Sequence, residues 1–106
     1  MKILSKYRAS AMLVMALPAI ASASPTGHYV GQNLAKMAKV DMVHATAIAH
    51  KARAGLITDR ELEREGGGSG LRYSFDIKSG GKTFEVGVDA KTGRVLENKA
   101  EGPHPD

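Results

Sequence analysis

Near the C-terminus the chain reads "LRYSFDIKSGGKTFEVGVDAKTGRVLE" (71–97), two alternating apolar and polar runs separated by glycines. This stretch limits the fold more than any other. Successive side chains of a strand point to opposite faces. Leu71, Tyr73, Phe75 and Ile77 therefore share one face, and Arg72, Ser74, Asp76 and Lys78 the other. Phe84, Val86 and Val88 repeat the pattern after "SGGK", which predicts an antiparallel hairpin closed by a glycine loop. Gly93 turns the chain into a short last strand, "RVLE", and "NKAEGPHPD" is expected to fray as a polar tail.

An apolar sheet face must be covered. The best cover upstream is "MVHATAIAHKARA" (42–54), where Met42, Ala45, Ile48, Ala49 and Ala52 recur at helical spacing. Asp41 is its expected N-cap and Gly55 its expected left-handed terminator. The predicted fold class is α+β, with one main helix packed on a three- to four-stranded antiparallel meander.

The flanking segments are less regular. "SPTGHYVG" (24–31) reads as a flexible leader. "QNLAKMAKV" (32–40) predicts a short helix that Asn33 could cap. "LITDRELERE" (56–65) is ambiguous: Thr58 and Glu61 match a capping box. Ile57 and Leu62 fall on opposite parities, which argues against a regular strand. "GGGSG" (66–70) reads as a flexible connector.

The N-terminus has a basic start at Lys2, Lys6 and Arg8, a short apolar run to Ile20, and "ASA" (21–23). That is the pattern of a secretory signal, with cleavage expected between Ala23 and Ser24. The expected organisation is signal peptide 1–23, leader 24–39, domain 40–98 and tail 99–106. The whole chain carries 15 basic and 11 acidic residues. Without the three signal cations the excess falls from +4 to +1, so the charge signature of a nucleic-acid binder is absent. The chain has no cysteine, which excludes disulfides and thiolate chemistry. Export without cysteines fits the bacterial periplasm or secretion.

The alanine-rich "HATAIAHKARAG", the charged "ITDRELERE", and "VGVDAKTGRV" (86–95) together resemble the PepSY domain family. The resemblance runs from about Val40 to Glu97 and is most specific in that last motif. It implies a cystatin-like helix wrapped by an antiparallel sheet, and a strand at "ITDRELERE" against its local propensity. It also implies a role around peptidases, as in propeptides that inhibit or assist the folding of thermolysin-type proteases. The family brings no catalytic residue set. With no protease domain attached, any inhibition is expected to act in trans.

Each candidate site has a simpler account. His44 and His50 are the metal candidates, but at 100° per residue they lie about 120° apart around a helix. His28 and His104 fall in the expected flexible ends. "DAKTGR" departs from a calcium loop, with Lys91 at a ligand position and Gly93 one place early. Asp89 is instead expected to accept turn N–H groups. Ser69 has no partner set for a triad. Asp76 and Glu85 could be cross-strand neighbours on a solvated face of mixed charge with Arg72, Lys78 and Lys82.

The sequence therefore predicts a non-enzymatic exported interaction module with no catalytic residues and no cofactor. Its expected partner is a periplasmic or cell-surface protein, with modulation of a protease as the leading role and an edge strand and the outer sheet face as contact surfaces. No nucleic acid and no stable membrane insertion after signal cleavage are expected. The alternative is a small-ligand or metal-binding protein using His44 and His50.

Overall fold

The computed structural model describes residues 27–102. The expected signal peptide and its Ala23–Ser24 junction lie outside them. The elements run from a 3-10 helix (Gln32–Met37) to α1 (Met42–Ala52), β1 (Leu56–Arg64), β2 (Leu71–Ser79), β3 (Lys82–Asp89) and β4 (Val95–Ala100). The strands form one antiparallel sheet in the order β1-β2-β3-β4. The α+β architecture is the one the alternation predicts.

The β2–β3 hairpin carries the core. Ser79 pairs with Lys82 across Gly80 and Gly81, whose φ values of 62° and 80° meet the requirement of the tightest hairpin turns. Leu71, Tyr73, Phe75, Ile77, Val86 and Val88 are buried. Phe84 is half-buried, with the Arg53 guanidinium 3.8 Å above its ring. Met42, Ala45 and Ala49 of α1 close the core from one side.

 Ala45 and Ala49 are fully buried there and Met42 nearly so, because small side chains let the helix approach the sheet closely.

Polar contacts fix where the helix starts and stops. The Asp41 carboxylate accepts the His44 N–H at 2.9 Å, as an N-cap should. Tyr73 donates its hydroxyl to Val40 O at 2.7 Å, and the N–H groups of Lys39 and Val40 both donate to Ala90 O. The helix ends at Ala52, two residues short of expectation, and Arg53 is already extended. Gly55 does not terminate it. Asn98 does part of that work, donating its side-chain amide to Ala52 O at 3.1 Å.

One ambiguous segment is resolved and three local expectations change. "LITDRELERE" is a strand, as the family resemblance implies and the capping box does not. The opposite parities of Ile57 and Leu62 are reconciled by a bulge: Ile57 pairs with Ile77 and Asp59 with Asp76, leaving Thr58 as the extra residue. Both apolar side chains therefore face the core. β4 continues to Ala100, so the first residues of the expected tail are paired with β3. From Tyr29 onward the expected leader is packed: Tyr29, Leu34, Ala35 and Ala38 contact the core, and Leu62 N–H donates to Val30 O. The short helix there is 3-10, and Gly31 rather than Asn33 occupies its cap position, with no side-chain cap bond.

Deleting Thr58 removes the bulge and leaves Ile57 and Leu62 an even number of positions apart, so both still face the core in a regular ladder. The expected change in stability is within about 1 kcal/mol. Urea denaturation measures it, and a loss of about 1.5–3 kcal/mol, the burial of one large aliphatic side chain, contradicts this role for the bulge.

Candidate functional site

The sheet has two faces, and the helix covers one. Cross-strand register places Asp59, Glu61 and Glu63 of β1, Asp76 of β2, Glu85 of β3 and Glu97 of β4 on the other. Arg72, Lys78 and Lys99 share that face. Glu101 follows β4 and is held there by its N–H to Thr83 O. The outer face is therefore acid-rich, not of mixed charge. The expectation from β2 and β3 alone missed this because the acids come from β1 and β4, whose register no local pattern reveals.

Asp76 sits at the centre. Asp59 is opposite it on β1 and Glu85 on β3, as expected for the Asp76–Glu85 pair. Burial, a hydrogen bond to Glu101 and the charges of Glu101, Asp59 and Glu85 push its carboxyl up to about 6. Glu85 is raised by burial first, then by Glu97 and Glu101. Glu63 is raised by burial, against a hydrogen bond from the Ser74 hydroxyl at 2.7 Å. Lys82, expected beside Asp76, lies at the hairpin turn opposite Ser79.

Arg72 is the most buried of the three cations on this face. It is 7% exposed. Nη1 donates to Glu97 at 3.3 Å and Nη2 to Gly66 O at 3.1 Å. Gly87 leaves the room, since a Cβ there would stand 3.0 Å from Nη1.

Asp89 has a structural setting. It is 1% exposed at the end of β3. Oδ1 accepts the N–H groups of Lys91 at 2.8 Å and Thr92 at 3.0 Å, and Gly93 takes φ 82°, the turn geometry expected. The Ser69 hydroxyl also donates to Oδ1 at 2.8 Å, and the Ser69 N–H donates to Oδ2 at 2.6 Å. Burial alone would raise this carboxyl. The bonds from Ser69, Lys91 and Thr92 outweigh it and hold the group well below the usual carboxylate range. "GGGSG" is thus more than a connector: Ser69 pins it to Asp89. Gly68 passes so close to Asp89 that a Cβ would collide with Oδ2. A lone serine among glycines was the available signal, and its partner lies twenty residues away.

The histidines do not converge. His44 Nδ1 lies 2.7 Å from Asp41 Oδ1, within the helix cap. A cleft of about 420 Å³ beside it is lined by Val40, Asp41, Ile48 and Thr92, and His50 is not part of it. Among the described residues no group of three or more metal-binding side chains comes together. No helix of the described residues is long and apolar enough to cross a membrane.

These features define a small α+β module whose distinguishing surface is an open sheet face, with its turn motif serving as an internal tie. Residues 39–99 match the model of the PepSY family, described as the peptidase propeptide and YPEB domain. The match covers more than half of the chain, and the chain belongs to this family. No curated protein and no solved structure matches it. The family description links the domain to peptidase propeptides, a regulatory rather than a catalytic association.

Two predictions follow from these carboxylates. Asp89→Ala is expected to destabilise the chain by about 3–5 kcal/mol, because it leaves the donors of two loops without their acceptor. Ser69→Ala is expected to cost about 1.5–3 kcal/mol, and the double variant much less than the sum, read by urea denaturation. The folded value of Asp76 lies above its unfolded 3.8, so the folded state holds the extra proton between about 4 and about 6. Stability should fall as pH rises through that window. Asp76→Asn should flatten the fall and raise stability at pH 7, which denaturation midpoints at pH 4, 5, 6 and 7 would show.

Proposed function

We propose that the chain is an exported, non-enzymatic interaction module of the bacterial envelope. It docks its acid-rich sheet face on a partner protein and modulates a peptidase in trans. The observation that carries this reading is the open face around Asp76. Crowded, half-buried carboxylates there meet few cations, and a basic partner surface would relieve that repulsion. Family membership supports the peptidase connection. The basic, apolar and small-residue pattern ending at Ala23 supports export.

The test is a titration of the purified chain into envelope extract of the source cell, reading cleavage of fluorogenic peptides. A saturable change in one peptidase activity is expected. Glu63→Lys combined with Glu85→Lys should weaken it at least tenfold, mostly through slower association at low salt. An extract whose peptidase activities are all indifferent to the chain overturns the reading.

A further inference from the structure

The two edges of the sheet are treated differently. The outer edge of β1 is partly closed, because Val30 bridges Glu61 in parallel and accepts the Leu62 N–H at 2.9 Å. The outer edge of β4 has no neighbouring strand among the described residues. Parity tells which groups line it. Glu101 N–H donates to Thr83 O, and Lys99 and Glu97 stand opposite Glu85 and Gly87. In an antiparallel ladder, bonded pairs alternate with non-bonded ones. The backbone groups of Glu97 and Lys99 therefore turn toward β3. Those of Asn98 and Ala100 turn outward, toward solvent.

We propose that β4 is a self-association edge: two copies of the chain pair β4 with β4, antiparallel about a two-fold axis at Asn98. The product is one continuous eight-stranded sheet.

Charge selects this register. Glu97 and Lys99 project from the same face, and within one copy Lys99 Nζ lies 3.6 Å from Glu97 Oε2. With the axis at Asn98, Glu97 of each copy stands opposite Lys99 of the other, so symmetry forms the ion pair twice. An axis at Lys99 sets lysine against lysine, and one at Glu97 sets glutamate against glutamate. An axis at Ala100 would pair Asn98 with Gly102, beyond the end of the strand. A lysine on an edge strand ordinarily blocks pairing. Here Lys99 blocks the register centred on itself, and Glu97 blocks the one centred on Glu97. Asn98 is also held in place from behind: its side chain bonds Ala52 O and accepts from Arg53 Nε at 3.1 Å, so the pairing rung is already ordered. A single strand pair buries less than a standard interface, which sets the affinity in the micromolar to millimolar range.

The surface is distinct from the face used in the proposed function, so the two stand or fall separately. A chain that stays monomeric yet modulates a peptidase overturns only the self-association. The experiment is sedimentation velocity on the chain, expressed from its full-length sequence and purified after export, up to about 1 mM. A reversible monomer–dimer equilibrium is expected. Ala100→Pro removes an outward N–H at an exposed edge position, where proline is tolerated. Lys99→Glu places acid opposite acid. Each should weaken association at least tenfold while circular dichroism stays unchanged. Glu97→Lys and Lys99→Glu chains should each be monomeric alone and dimerise when mixed, because the mixed pair sets two lysines against two glutamates. A monomer at every concentration overturns the proposal. So does a dimer indifferent to Ala100→Pro and Lys99→Glu, or a mixture that associates no better than its parts.

Discussion

The buried Asp89 carboxylate is the contact on which the rest of the molecule depends. Four donors from two separate loops converge on it. It joins the β1–β2 loop to the β3–β4 turn, so both ends of the hairpin at that pole of the sheet share one anchor. The next residue extends the tie through its backbone. Ala90 donates to Leu71 O and accepts from Lys39 and Val40, which sets the entry of α1 over the sheet. A buried charge is tolerated only when its lone pairs are filled. That condition fixes the surrounding geometry tightly.

From this pole the structure works outward by alternation. The inner face is filled by the hairpin's aromatic and branched residues and by alanines of α1. The outer face receives the other half of every strand. Because β1 and β4 bring their own acids to the row containing Asp76, the face accumulates negative charge. This arrangement is not optimal for stability, since the carboxylates repel one another and share protons. Such a local cost is consistent with a surface kept for binding.

Much of this was legible in the chain. The period-two pattern from Leu71 to Val88 has one structural solution, and the capping aspartate and glycine turn needed only local chemistry. The β1 strand was not legible from its own residues. One bulged residue inverts the parity of Ile57 relative to Leu62 and erases the alternation a strand should show. Sheet pairing then overrides the helical preference of the segment, because backbone bonds and the burial of Leu62 outweigh tenths of a kcal/mol of propensity. The end of α1 was misplaced for a related reason: its terminating partner, Asn98, comes from the far end of the chain.

By itself, then, the sequence determined the hairpin, the helix that covers it, the turn at Asp89 and the family. These rest on periodicity and on contacts within a few residues. Only the tertiary structure decided that Ser69 reaches Asp89, that seven acids from Asp59 to Glu101 gather around one face, and that β4 has no neighbouring strand on its outer edge among the described residues. The physical reason is the same in each case. These are relations between strands, set by register and bulges, and register is fixed by the packed core as a whole rather than by any residue's neighbours in the chain.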